Sequence, residues 1–260
     1  MLDSGGMDVL TLSRLRVGTW FDGTANLTAR AGQPLPSVEI TGGALDLRDL
    51  PDLNQASGGA RTPLFANLST LQVTDTIALT DLSGSFLAGG GMEGEFQARV
   101  NGGTRVSGAL IPANGRAVVR LTSQDAGGVL RSAEFLRNAS GGEFQVDLVP
   151  IGEADFDGKL QIKNVRIQDA PAFAELLNAI SVVGLLDQFG GEGILFNEVE
   201  SQFRLSPNRV TVTQASAVGP SMGISADGIY STGNKVFDIQ GVISPLYVLN
   251  AIGRPIAFKT

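Results

Sequence analysis

The segment Met92–Val100 reads MEGEFQARV, and its residues alternate between two kinds of side chain. One side of an extended chain would carry Met92, Gly94, Phe96, Ala98 and Val100, and the other side Glu93, Glu95, Gln97 and Arg99. Such alternation is typical of a β-strand with one dry face and one wet face. It favours antiparallel pairing, because buried parallel strands read as continuous apolar runs.

The same alternation recurs along the chain, in residues 142–148, 156–163, 199–205, 222–230 and 236–243. Turn sequences rich in Gly and Asn separate such segments: Asn101-Gly102-Gly103, Asn114-Gly115, Ser140-Gly141-Gly142, Pro207-Asn208 and Gly233-Asn234. Short, evenly spaced strands of this kind predict a mostly β meander of about fifteen strands. The pattern alone leaves open whether the apolar face is closed inside a sandwich or barrel, or lies on an open curled sheet.

Two segments depart from the alternation and predict short helices. Residues 125–137 place apolar side chains at helical spacing, with Asp125 as the N-cap. Residues 170–189 form a longer amphipathic pattern that begins at Pro171 and ends before Gly190-Gly191. The second helix either packs on the sheet or plugs one end of an open groove.

The amino-acid composition argues against several classes of function. The chain of 260 residues has no Cys and no His, so thiolate nucleophiles and the commonest general base and metal ligand are absent. Its net charge of −7 is spread along the chain without a Lys/Arg patch, which predicts no nucleic-acid partner. We expect no cofactor and no enzymatic activity.

The acidic motifs are weak candidates for chemistry. Asp155-Phe156-Asp157 has the spacing of a DxD metal motif, but Asp157 falls on the wet side of a strand pattern. Glu192, Glu198 and Glu200 form an acidic cluster, and paired carboxylates can hydrolyse glycosides only when they are held at a defined separation. We interpret both sets as surface charge and predict no catalytic or metal site. An enzyme that acts on envelope glycans is the least favoured hypothesis.

The apolar face itself is the candidate binding site, because it could contact an apolar ligand if the sheet is open. The side chains expected to line it belong to strands and to the second helix: Phe96, Ala98, Val100, Val119, Leu121, Phe144, Val146, Leu148, Phe156, Leu160, Ile162, Leu177, Ile180, Phe203, Leu205, Ile224, Phe237 and Ile239. In a closed sheet the same residues would be ordinary core.

Five stretches together resemble a known family: residues 122–130 (TSQDAGGVL), 156–170 (FDGKLQIKNVRIQDA), 174–196 (AELLNAISVVGLLDQFGGEGILF), 217–228 (AVGPSMGISADG) and 241–250 (GVISPLYVLN). In this order they resemble the C-terminal region of the AsmA-like envelope proteins, which are related to the TamB-type bridge-like lipid transfer proteins. The resemblance covers about two-thirds of the chain. It divides the sequence into N-terminal groove strands over residues 1–80 and an AsmA-like region over residues 81–260.

The resemblance implies a long, taco-shaped antiparallel sheet with an apolar trough and two short helices. It implies a periplasmic protein of Gram-negative bacteria that conducts glycerophospholipid acyl chains toward the outer membrane, with envelope proteins of both membranes as partners. Such proteins are anchored in the inner membrane by an N-terminal helix. MLDSGGMDVL has no signal-peptide pattern, so we expect this chain to be a fragment whose anchor lies elsewhere. The alternative is a structural or outer-membrane-assembly scaffold whose apolar face is closed core.

Overall fold

A computed structural model of the chain describes residues 8–49, 61–89, 91–113, 116–152, 155–168, 193–231, 233–234 and 236–245. Within these ranges the protein is mostly β, and its strands form one long curled sheet that stays open instead of closing into a barrel. The predicted fold class is therefore confirmed. The described residues contain one of the two expected helices.

The elements, in chain order, are β1 (Val9–Val17), β2 (Phe21–Thr28), β3 (Ser37–Asp46), β4 (Thr62–Gln72), β5 (Ala78–Ala88), β6 (Met92–Val100), β7 (Arg105–Ala113), β8 (Arg116–Ser123), α1 (Ala126–Ser132), β9 (Ala139–Ser140), β10 (Glu143–Pro150), β11 (Phe156–Ile167), β12 (Ile194–Ser206), β13 (Arg209–Val218), β14 (Met222–Ser231) and β15 (Val236–Pro245). Strands β1 to β8 and β10 to β15 pair in chain order, and β8 pairs with β10. The two-residue strand β9 lies off this path and pairs with the end of β11.

One strand pair differs from the predicted antiparallel arrangement. β3 and β4 are parallel, with Val38 opposite Leu64 and Leu45 opposite Leu71. A parallel pair needs a crossover of a dozen or more residues, and the connection over residues 47–61 has that length. Every other adjacent pair along the path is antiparallel, as the alternation predicts.

Helix α1 begins where the sequence predicts. The side chain of Asp125 caps it by accepting a hydrogen bond of 2.8 Å from the backbone N–H of Gly128. This bond satisfies one of the backbone donors that the first turn of a helix leaves unpaired.

The same helix is shorter than expected, because it ends at Ser132 and not at residue 137. Glu134 adopts a left-handed conformation with φ of 60°. The backbone N–H groups of Glu134 and Phe135 then donate to the carbonyls of Arg131 and Leu130, at 3.0 and 2.9 Å. This is the hydrogen-bond pattern of a Schellman motif, and it closes the helix without the glycine that usually signals such an end.

Several predicted features lie outside the described residues. They are the helix over residues 170–189 with Leu177 and Ile180, the turn Asn114-Gly115, and Glu192 of the acidic cluster. For these residues the sequence-based expectations stay predictions, as does the division of the chain near residue 80.

The core of the sheet is deepest where β11, β12 and β14 meet below α1. Val165, Ile194, Phe196 and Met222 are almost fully buried there. Asn164, which has φ of 56°, interrupts the alternation in β11, so that Ile162 and Val165 are both buried although they are three residues apart. The sheet therefore keeps apolar side chains on one side through a local irregularity.

Candidate functional site

Cross-strand pairing places the sixteen described candidate residues on one side of the sheet, called here the apolar face. Directly paired positions form rows across the strands: Phe96, Gly108, Leu121, Val146 and Leu160; Leu110, Val119, Leu148, Gly158, Phe203, Val212, Gly228 and Ile239; Phe144, Ile162, Val199, Ala217, Ile224 and Ile243; and Phe156, Leu205, Val210, Tyr230 and Phe237. Ala98 pairs with Val106, and Val100 pairs with Leu79. The apolar face thus runs from β5 to β15, with Ser201 as a polar position opposite Leu160.

Exposure of this face changes along the sheet. At the β6 end it is packed core, since the side chain of Phe96 is only 7% exposed and Ala98 and Val100 are also buried. At the β15 end it is open, with Phe237 57% and Ile239 47% exposed. Between these ends, Val146 and Ile162 are buried, and the other candidates are half-buried: Val119, Leu121, Phe144, Leu148, Phe156, Leu160, Phe203, Leu205 and Ile224.

Phenylalanine rings on this face lie over glycines of the neighbouring strand. A Cβ atom added to Gly158 would stand 2.3 Å from Cζ of Phe203, and one added to Gly108 would stand 2.1 Å from Cζ of Phe96. Each glycine therefore leaves the space that the ring opposite it occupies. The sequence pattern alone does not identify these two glycines as ring-packing positions. The available signal was a glycine at an apolar position of the alternation, as in Phe156-Asp157-Gly158.

The opposite side, called here the polar face, is held by cross-strand polar pairs. Arg120 donates two hydrogen bonds to the carboxylate of Asp147, at 2.6 and 3.0 Å, and Arg204 lies 3.0 Å from Asp157. Each of these pairs joins residues that are directly opposite in the sheet. A one-residue slip of any strand would move these charges to the apolar face, so the pairs help to fix the register.

The Arg120–Asp147 pair gives a measurable dependence of stability on pH. The guanidinium of Arg120 holds the pKa of Asp147 below its usual range, and it does so mainly by hydrogen bonding. A carboxyl whose pKa is lower in the folded state stabilises the fold above its unfolded pKa, and this contribution is lost as pH falls. We expect Asp147→Asn to lower the free energy of unfolding by up to about 1 kcal/mol at pH 7, because the pair is partly exposed. The difference from the parent chain should vanish well below about pH 4.

Urea unfolding of both chains at pH 7 and pH 3 measures this effect. Arg120→Gln removes the other partner and should lose the same pH-dependent part of the stability. A deficit of Asp147→Asn that is unchanged at pH 3 would show that the charge of the carboxylate is not its source.

The polar face also has a shallow concavity of about 770 Å³ over strands β3 to β8. Its lining is mainly hydroxyl, amide and charged side chains, including Asn67, Ser83, Gln97, Thr122 and Glu95. Such a surface suits water better than hydrocarbon, since burying unpaired polar groups costs free energy.

The acidic candidates stand apart from the apolar face. Asp157 is exposed and paired with Arg204. Glu198 lies opposite Lys163, and Glu200 accepts a hydrogen bond of 3.0 Å from Gln161. Among the residues that the structure describes, no three or more acidic side chains come together in a way that could hold a metal ion.

In the described part of the chain, no helix has both the length and the apolar character needed to cross a bilayer. No protein-family model, curated protein or solved structure matches the chain.

Proposed function

We propose that the chain is a non-enzymatic conduit for lipid, in which the apolar face carries the acyl chains of glycerophospholipids. One observation carries the proposal. The open sheet keeps apolar side chains on the same face across ten successive paired strands, β5 to β8 and β10 to β15, while ion pairs occupy the other face. A surface of this size that is apolar and partly exposed is unusual unless it meets an apolar partner.

The energetics favour a continuous face over a single deep site. An acyl chain of about sixteen carbons gains roughly 0.8 kcal/mol per buried CH₂, so its transfer into water costs on the order of 13 kcal/mol. A face that is apolar throughout retains most of this burial at each step along the sheet. With about 4.8 Å between strands, the path of fourteen strands extends for roughly 60 Å.

The cellular setting belongs to the same proposal and is supported by the resemblance to AsmA-like proteins. We infer transport across the periplasm toward the outer membrane, with an inner-membrane anchor and with envelope proteins as partners. The complete protein would then form a bridge of which this sheet is one section.

A second candidate function is a structural or assembly scaffold, and the burial of the β6 end favours it. Phe96, Ala98 and Val100 are packed as an ordinary core. In this reading the exposed residues near β15 would be covered by protein instead of lipid.

Site-specific photo-crosslinking distinguishes the two candidates. We expect a photoreactive amino acid in place of Phe203 to form phospholipid adducts in cells, because Phe203 lies half-buried on the apolar face. The same amino acid at Gln202 should give none, because neighbouring strand residues point to opposite faces. Gln202 is a matched control, since it is exposed and lies on the same strand. Mass spectrometry of the adducts identifies the lipid.

Equal lipid labelling at Phe203 and Gln202 would contradict the separation of a lipid face from a water face. Protein adducts at Phe203 without any lipid would favour the scaffold.

A further inference from the structure

The chain between α1 and β9, residues 133–138, lies over the middle of the sheet, because α1 packs against β11 and β9 pairs with the end of β11. We call this segment the strap. It leaves the helix at the Schellman motif described above and ends where Asn138 accepts a hydrogen bond from the backbone N–H of Gln168, at 2.9 Å. Leu136 packs on the core below α1.

The start of the strap is tied to the turn between β6 and β7. The carbonyl of Ser132 accepts a hydrogen bond of 2.9 Å from Nδ2 of Asn101. The hydroxyl of Ser132 accepts one of 3.0 Å from the backbone N–H of Thr104. The last residue of α1 is therefore fixed to the β6–β7 side of the groove.

Three residues later, the strap touches β14. The ring of Phe135 packs edge-on against Tyr230, with 5.8 Å between ring centroids, and Tyr230 stacks on Phe237 at 4.3 Å. Phe135 itself is 41% exposed. This aromatic cluster lies on the β14–β15 side of the groove.

These two contacts show how far the strap reaches over the apolar face. Strands β7 and β14 are six steps apart in the sheet order, which corresponds to about 29 Å along the sheet. Three residues of backbone span at most about 11 Å between Ser132 and Phe135. The side chains of Asn101, Phe135 and Tyr230 supply the remaining reach, so the strap lies across the apolar face between the β6–β7 turn and β14, and Leu136 packs on that face between them.

We infer that the strap is a gate on the groove, and that an acyl chain passes only when Phe135 separates from Tyr230. This inference rests on the proposed function. The β6–β7 end of the strap is fixed by hydrogen bonds, while Phe135 is held to β14 by an aromatic contact that water can reach. The ring can leave Tyr230 by side-chain rotation while α1 and Leu136 stay in place. The gate stands between the packed part of the apolar face and the part that is open near β15.

Locking the contact tests the gate. The chain has no cysteine, so Phe135→Cys combined with Tyr230→Cys provides the only two thiols. We expect a short bismaleimide with a cleavable disulfide spacer to join them and to slow lipid uptake at least tenfold. The probe is a phospholipid with a fluorescent acyl chain, taken from vesicles of phosphatidylethanolamine and phosphatidylglycerol. Cleavage of the disulfide spacer should restore the rate of lipid uptake. This recovery would show that the linked chain had stayed folded.

The pair Lys159→Cys and Gln202→Cys is the matched control. These residues lie directly opposite each other on the exposed polar face, so linking them leaves the strap free. Uptake by the linked 135–230 chain at the rate of the unlinked chain would overturn the gate while leaving the conduit intact. No uptake by the parent chain would instead refute the proposed function, and the gate with it.

Discussion

A chain carrying Phe203→Asp is expected to hold at least tenfold less phospholipid than the parent chain while its sheet stays folded. The substitution places a carboxylate on the apolar face, where an acyl chain would have to cover it. Burying an unpaired charge against hydrocarbon costs several kcal/mol, and each 1.4 kcal/mol is a factor of ten in binding. Phe203 is half-buried and belongs neither to the core below α1 nor to the core around Phe96, so the sheet should tolerate the change.

Lipid held by the purified chains is measured by mass spectrometry, and the β content by circular dichroism. Gln202→Asp is the matched control, because it adds the same charge one residue away on the polar face. Lys159 lies directly opposite that position and favours the new carboxylate. Undiminished lipid on Phe203→Asp would refute the conduit, and loss of the sheet would identify Phe203 as core.

Gly108→Val should be among the most destabilising single changes in the sheet, lowering the free energy of unfolding by about 3 kcal/mol. A Cβ atom at this position would stand 2.1 to 2.5 Å from three carbons of the Phe96 ring. The ring is buried in a core that includes Leu82, Ala98 and Val106, and it cannot move aside. Either Phe96 leaves its rotamer or strands β6 and β7 separate. Guanidinium unfolding of the two chains measures the difference.

Gly223→Val provides the control for strand propensity alone. A Cβ atom on Gly223 would meet nothing within 4 Å, although Gly223 also lies inside a paired strand. We expect its effect to stay within about 0.5 kcal/mol, as for other surface substitutions. Similar losses at positions 108 and 223 would mean that backbone freedom, and not the Phe96 ring, explains the cost.

The sequence predicts the strands well because alternation is a local property of each strand. MEGEFQARV forms β6 with its ends where the pattern places them, and the same rule assigns Phe96, Phe144 and Phe203 to one face. The capping role of Asp125 is local too, since it depends on a backbone N–H three residues away.

Features that depend on distant contacts could not be predicted in this way. The parallel pairing of β3 with β4 has no signature in either strand, and the left-handed backbone of Asn164 changes which residues share a face. The exposure of the apolar face changes along the sheet because it depends on how strongly the sheet curls. The alternation of side chains within a strand does not predict this curl. The contact of Phe135 with Tyr230 joins residues far apart in sequence, and neither residue's local pattern predicts it.

The order of the strands has a consequence for how such a protein could change in evolution. Contacts run almost entirely between neighbouring strands, and among the described residues β1 and β15 each pair on one side only. Stability then resembles a sum over adjacent units, as in solenoid proteins. A duplicated hairpin would lengthen the sheet by about 10 Å without disturbing strands further away. If the proposed function holds, selection could adjust the number of strands, and so the length of the sheet, to the distance between the two membranes.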